Sequence, residues 1–140
     1  MFIKYDVPPN WEEVSKKFDL KKEDPIFYTY GNTLYSPSLL APSSDLIVHE
    51  TTHAEQQGVS PNLWWQRYLL DPEWRVEQEA EAYGNQFEFI CRSIKDRNKR
   101  DKILHQLAGF LSGKMYGNII SEFDAYKKIK QYAHYGRVIY

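Results

Sequence analysis

The sequence predicts a mainly α domain with a small β-hairpin, an α+β fold in a single domain over residues 1–140. Three observations predict it. Apolar residues recur at helical spacing through most of the chain beyond residue 44. Cap and stop residues divide that pattern into separate helices. One aromatic, β-prone stretch is split by Gly31-Asn32. With 140 residues, 42% hydrophobic and 26% charged, the chain has the composition of one compact globular domain, which excludes a disordered or collagen-like chain. No apolar run approaches the roughly 18 residues needed to span a bilayer.

Asn10 is placed to cap a first helix over Trp11–Phe18, with Glu12 and Glu13 in its first turn. Ile26 to Tyr30 and Thr33 to Tyr35 flank Gly31-Asn32 and predict a hairpin over Phe27–Tyr35. Pro37 and Pro42 bracket a loop. Ser43 or Ser44 then caps a helix from about Asp45 to Gln57, stopped by Gly58. Ser60-Pro61 starts a helix through about Leu70. Asp71-Pro72-Glu73 repeats that signature and starts a longer helix to about Asn98, with apolar positions at Trp74, Val76, Ala80, Ala82, Tyr83, Phe87, Ile90 and Ile94. Further helices are expected over about Asp101–Met115 and Ile119–Ala133. A short strand is one option for Tyr135–Tyr140.

Charge is unevenly spread. Residues 1–91 carry 7 Lys+Arg against 15 Asp+Glu, whereas residues 92–140 carry 11 against 4. The basic stretches Arg92–Lys102 and Lys127–Lys130 suit a nucleic-acid face or, more simply, solvated helical faces. The lone Cys91 has no internal disulfide partner, and the N-terminus lacks a signal-peptide pattern, so a cytoplasmic location is expected. The 16% aromatic content fills a small core efficiently.

The informative residues are His49-Glu50-Thr51-Thr52-His53, an H-E-x-x-H motif on a predicted helix. Residues four apart share a helix face, about 6 Å apart at Cβ, so two imidazoles there can point at one tetrahedral Zn²⁺. Glu50 is rotated one step from His49. There it can reach a metal-bound water and act as general base, once zinc has lowered the pKa of that water to about 7. Leu46, Ile47 and Val48 give the helix an apolar side to bury.

A catalytic zinc site takes three protein ligands and leaves one position open. Gln56 and Val59 stand where the metzincin continuation requires Gly and His, which excludes that class. Candidates for the third ligand are the acidic cluster Glu77 to Glu81, His105 and His134. Helical phase favours Glu79. It shares a core-facing stripe with Ala82, Tyr83, Gln86 and Ile90, where a carboxylate is costly unless paired or metal-bound. Glu81 lies with Gln78, Asn85, Glu88 and Arg92 on a stripe that reads as solvated, and Glu77 is intermediate.

His49-Glu50-x-x-His53 followed after one helix by Glu79-Ala80-Glu81-Ala82-Tyr83 resembles the gluzincin metallopeptidases. The likeness extends to small phage- and bacterium-encoded zinc peptidase-like proteins, through Tyr30-Gly31 before the motif helix, Gln56-Gln57 after it, and Asp71-Pro72-Glu73-Trp74-Arg75 leading into the acidic segment. It covers about residues 26–90. The resemblance implies a zincin-like fold, zinc-dependent peptide-bond hydrolysis, and Glu79 at the family's third-ligand position. Tyr83 departs from it, standing where gluzincins commonly have Asp or Asn supporting a ligand histidine. A hydroxyl supporting a ligand and a plain buried aromatic are equal readings of that tyrosine.

In zincins, substrate-aligning strands precede the metal helix, as the hairpin does here, and an exposed edge suits an extended peptide added as a strand. Tyr28, Tyr30, Tyr35, His105 and His134 are all chemically able to stabilise a tetrahedral oxyanion. The expected protein is therefore a cytoplasmic zinc metallopeptidase. His49, His53 and Glu79 hold zinc, Glu50 is the catalytic base, and the substrate is a peptide or protein. Neither nucleic acid nor membrane is an expected partner. Two other classes compete: a zinc-containing interaction or assembly protein without turnover, and a nucleic-acid-associated protein using the basic stretches.

Overall fold

A computed structural model describes residues 1–133. Those residues form six helices and three short strands, the mainly α architecture with a small sheet that the sequence predicts. They divide into two compact units, Met1–Asp71 and a second beginning at Pro72. His134 and the proposed strand at Tyr135–Tyr140 lie outside the described residues. Among the described residues, no helix is long and apolar enough to cross a membrane.

The first unit begins with β1 (Phe2–Lys4) and α1 (Trp11–Phe18), followed by β2 (Tyr28–Tyr30) and β3 (Thr33–Tyr35), then α2 (Ser44–Gln57) and α3 (Pro61–Leu70). Strands β2 and β3 form the expected antiparallel hairpin, pairing Tyr28 with Tyr35, Thr29 with Leu34 and Tyr30 with Thr33. Gly31 turns the chain at φ +66°, a conformation that a side chain disfavours. Strand β1 adds in parallel on the other side of β3, giving the order β1-β3-β2. The sequence offers no sign of β1. Phe2-Ile3-Lys4 is too short and has no alternation of apolar and polar positions, and all three residues are exposed.

Trp64, Trp65 and Tyr68 of α3 join Val14, Tyr28 and Leu34 as the apolar core of this unit. Trp64 stacks on Tyr68 with ring centres 4.8 Å apart. Gly58 ends α2 at φ +55°, as expected. Asn10 and Ser43 occupy their cap positions but make no side-chain capping bond; the Ser43 hydroxyl donates to Asp45 instead.

The second unit holds α4 (Pro72–Cys91), α5 (Arg97–Leu111), a 3₁₀ turn at Lys114–Tyr116 and α6 (Glu122–Ala133). Phe87, Leu104, Leu111 and Ile129 are fully buried between the three helices. Gly84 lets α4 approach α6 closely, because a Cβ there would lie 2.7 Å from Tyr132 Cβ. Helix α4 stops at Cys91, short of the expected Asn98. Two local interactions end it. Arg100 donates to the Cys91 and Ile94 carbonyls. The Asp96 carboxylate starts α5 by accepting from the Asn98 and Lys99 amides. The apolar period continued through Ile94, but the caps override it.

Candidate metal centre

Helix α2 has an inverted buried side. Its buried residues are His49, Glu50, Thr52, His53 and Gln57, and none is apolar. Leu46, Ile47 and Val48, expected to supply the buried face, are only half-buried. Burying polar side chains costs free energy unless each finds a partner, and Glu50, His53 and Gln57 each have one, in Thr29, Gln56 and the Thr29 carbonyl.

The two imidazoles converge. His49 Nε2 and His53 Nε2 lie 3.2 Å apart, with the residues 4% and 5% exposed. Two zinc–nitrogen bonds of about 2.0–2.1 Å at the tetrahedral angle place their nitrogens about 3.3 Å apart. The observed separation fits that requirement. Gln56 Oε1 accepts from His53 Nδ1 at 2.9 Å, which puts that ring's proton on Nδ1 and leaves the Nε2 lone pair available to a cation. Trp64 packs on the His53 ring at 5.3 Å between centres and limits its rotation.

Glu50 completes the cluster, with a carboxylate oxygen and the two imidazole nitrogens all within 4.8 Å of one another. Its Oε2 is 3.7 Å from His49 Nε2. Its Oε1 accepts from the Thr29 hydroxyl at 3.0 Å.

Glu79 lies in the second unit, on α4. It is 4% exposed, as its core-facing stripe predicts, whereas Glu77 is half-buried as expected and Glu81, expected to be solvated, is half-buried too. Glu88, assigned to the solvated stripe, is in fact buried at 7%. Glu77 has a role within its own unit, receiving Lys128 and the Tyr132 hydroxyl from α6. Burial pushes the Glu77 carboxyl up, but the hydrogen bonds from Lys128 and Tyr132 and the Lys128 charge outweigh it. The pKa therefore falls below the ordinary carboxylate value. The structure thus brings His49, Glu50 and His53 together in the first unit and buries Glu79 in the second.

Several other candidates have assignments of their own. The Tyr83 hydroxyl meets the Tyr116 hydroxyl at 2.8 Å, and the residue is a buried aromatic of the helical core. His105 is half exposed on α5, between Asp101 and Glu122, and stacks on Tyr126. Arg100, Lys127 and Lys128 of the basic stretches are engaged with the Cys91 carbonyl, Asp124 and Glu77.

Sheet register bears on the hairpin tyrosines. Side chains alternate along a strand, and paired residues share a face. Tyr28, Tyr30 and Tyr35 therefore share the face opposite Thr29, whose hydroxyl meets Glu50. Tyr28 packs instead against Trp11 of α1, edge to face at 5.6 Å. Burial, with the negative charges of Asp24 and Glu50, raises its phenol pKa far above the ordinary value, and its hydroxyl has no protein partner among the described residues. Tyr28→Phe should thus leave any hydrolytic activity intact. In thermal unfolding it should be neutral or stabilising by about 1 kcal/mol, since an unpaired buried hydroxyl is removed. A loss of activity without a loss of stability would return Tyr28 to the oxyanion role.

The hairpin does not offer a free edge beside α2. The Gln57 side-chain amide donates to the Thr29 carbonyl at 2.7 Å and accepts from the Gly31 amide at 2.7 Å, as the peptide group of a neighbouring strand would. Trp65 Nε1 also donates to the Thr29 carbonyl at 2.9 Å. The expected strand addition is closed at these atoms. Thr29, Gln56, Gln57 and Trp65 escaped the sequence reading as site residues. Gln56 and Gln57, three and four positions after His53 on one helix, had a legible spacing.

The chain matches no protein-family model, no curated protein and no solved structure.

Proposed function

We propose that this protein is a zinc-dependent peptide hydrolase of gluzincin type, with His49, His53 and Glu79 holding the metal and Glu50 as general base. The observation that carries the reading is the pair of buried Nε2 atoms 3.2 Å apart on a helix whose whole buried side is polar. Bound zinc would supply a Lewis acid and a water acidic enough to lose a proton near neutral pH. The chain's own residues do the rest. Gln56 holds the His53 ring in the tautomer that presents Nε2. Glu50 takes the proton at its carboxylate and returns it to the leaving amine. The burial of His49, Glu50 and His53 keeps bulk water from screening the Glu50 charge. The substrate is a peptide or protein, and a cytoplasmic location accords with Cys91 as the sole cysteine.

Glu79 as third ligand rests on its burial, its stripe and the gluzincin-like spacing. Purified full-length protein should contain about one zinc by elemental analysis. Glu79→Gln should weaken zinc binding by more than tenfold. Glu81→Gln should leave it unchanged. Glu77→Gln should leave it unchanged too and cost no more than about 1 kcal/mol of stability, since its ion pair is partly solvated. No zinc in the protein, together with no rise in melting temperature on adding zinc, would sink the site. A large loss from Glu81→Gln with Glu79→Gln unaffected would reassign the ligand.

A second reading draws on the closeness of the Glu50 carboxylate to both ring nitrogens. There Glu50 is itself a ligand, and the protein binds metal without turnover. Glu50→Gln would then lose zinc while Glu79→Gln kept it.

A further inference from the structure

Thr29 is 1% exposed, and its hydroxyl is spent on the motif helix rather than on its own strand. We propose that Thr29 is a positioning residue that fixes the orientation of the Glu50 carboxylate, and that Gln57 and Trp65 hold Thr29 in place to do so. The inference rests on the reading of Glu50 as general base.

A carboxylate on a flexible side chain can rotate about its last torsion, which is broad and weakly restrained. A base useful to one water must present one oxygen in one direction. The Thr29 hydroxyl has a single proton to donate, and the anionic Glu50 Oε1 at 3.0 Å is a better acceptor than the Glu50 carbonyl at 3.3 Å. Tying down Oε1 leaves Oε2 on the side of the His49 ring nitrogen, 3.7 Å away. Thr29 can act as an anchor because its own backbone is held from two directions. Its residue pairs with Leu34 in the hairpin. Its carbonyl accepts from both Gln57 Nε2 and Trp65 Nε1. Gln57 belongs to the same helix as Glu50, two turns on, so strand and helix are cross-linked at Thr29–Glu50 and again at Thr29–Gln57. Slippage of β2 along α2 would break both links.

The test compares zinc-loaded full-length wild type with Thr29→Ser, which keeps the hydroxyl, and with Thr29→Val and Thr29→Ala, which remove it. Zinc affinity is measured by chelator competition. kcat and KM are measured on a peptide that wild type cleaves from a mixed library. The Glu50 side chain is read from crystal structures of each variant. The expected result is zinc affinity within about threefold throughout. kcat should fall about 10- to 100-fold with KM unchanged in Thr29→Val and Thr29→Ala, with recovery in Thr29→Ser. In the crystals, Glu50 should be rotated or split between conformers in the two hydroxyl-free variants. Equal kcat in wild type and Thr29→Val overturns the proposal. So does a fall in Thr29→Ser matching that in Thr29→Val, and so does a single unmoved Glu50 conformer in Thr29→Val. If wild type cleaves nothing in the library, the hydrolase reading fails by itself. The Glu50 conformer in Thr29→Val and Thr29→Ala then decides the positioning claim alone.

Discussion

Glu50→Gln is expected to keep its zinc and its fold while losing hydrolytic activity by 10²–10⁴-fold, the range typical of removing a general base. The amide preserves the size of the side chain and can still accept from the Thr29 hydroxyl through its oxygen, so the buried hydrogen bond to β2 survives. What disappears is the basic oxygen on the other side of the group, near His49 Nε2. A change confined to the proton-transfer step lowers kcat with little effect on substrate binding. The practical assay is a mixed peptide library read by mass spectrometry, run beside elemental analysis of both proteins. Equal cleavage by wild type and variant would end Glu50's role as base. Loss of zinc from the variant would favour Glu50 as a ligand. Cleavage by neither, with zinc retained in both, would favour a metal protein that binds without turnover.

The parts of this protein that were legible in its sequence are those set by local rules. Helix α1 runs over the expected Trp11–Phe18, and α2 and α3 begin and end within a residue of their cap and stop signals. The histidine pair was legible because its geometry is intrahelical: four residues on one helix fix the spacing whatever surrounds it. The burial of Glu79 followed from phase for the same reason, whereas the stripe of Glu81 and Glu88, read as solvated, is half-buried to buried. What the sequence hid depends on side-chain contacts that hydrophobic period does not encode, some local and some between distant segments. The end of α4 turns on Arg100 reaching back nine residues to the Cys91 carbonyl. Strand β1 exists only because β3 offers it an edge. Thr29 serves Glu50 from 21 residues away, and no periodicity links the two. Leu46, Ile47 and Val48 are expected to mark the buried side of α2, but hydrophobic pattern marks apolar packing faces and is blind to a buried polar one.

The histidines carry the other large effect. His49→Ala and His53→Ala should each weaken zinc binding by more than 10²-fold, beyond the 10- to 100-fold usual for removing a residue that only supports a ligand. Gln56→Ala should fall in that smaller range, because it frees His53 Nδ1 while leaving both Nε2 donors present. Zinc is expected to stabilise wild type through mass action, by about 2.7 kcal/mol once free metal exceeds its dissociation constant a hundredfold. The melting temperature of wild type should therefore rise with zinc, that of Gln56→Ala should rise only at higher zinc, and those of the two histidine variants should stay flat. Titrations followed by thermal unfolding, with chelator competition for affinity, give both quantities on the same samples. The order matters more than any single value. If Gln56→Ala lost as much affinity as His53→Ala, the glutamine would be doing more than orienting the ring. If His49→Ala kept its zinc response, the 3.2 Å approach of the two imidazoles would be ordinary packing on a buried helix and the metal centre would have to be abandoned.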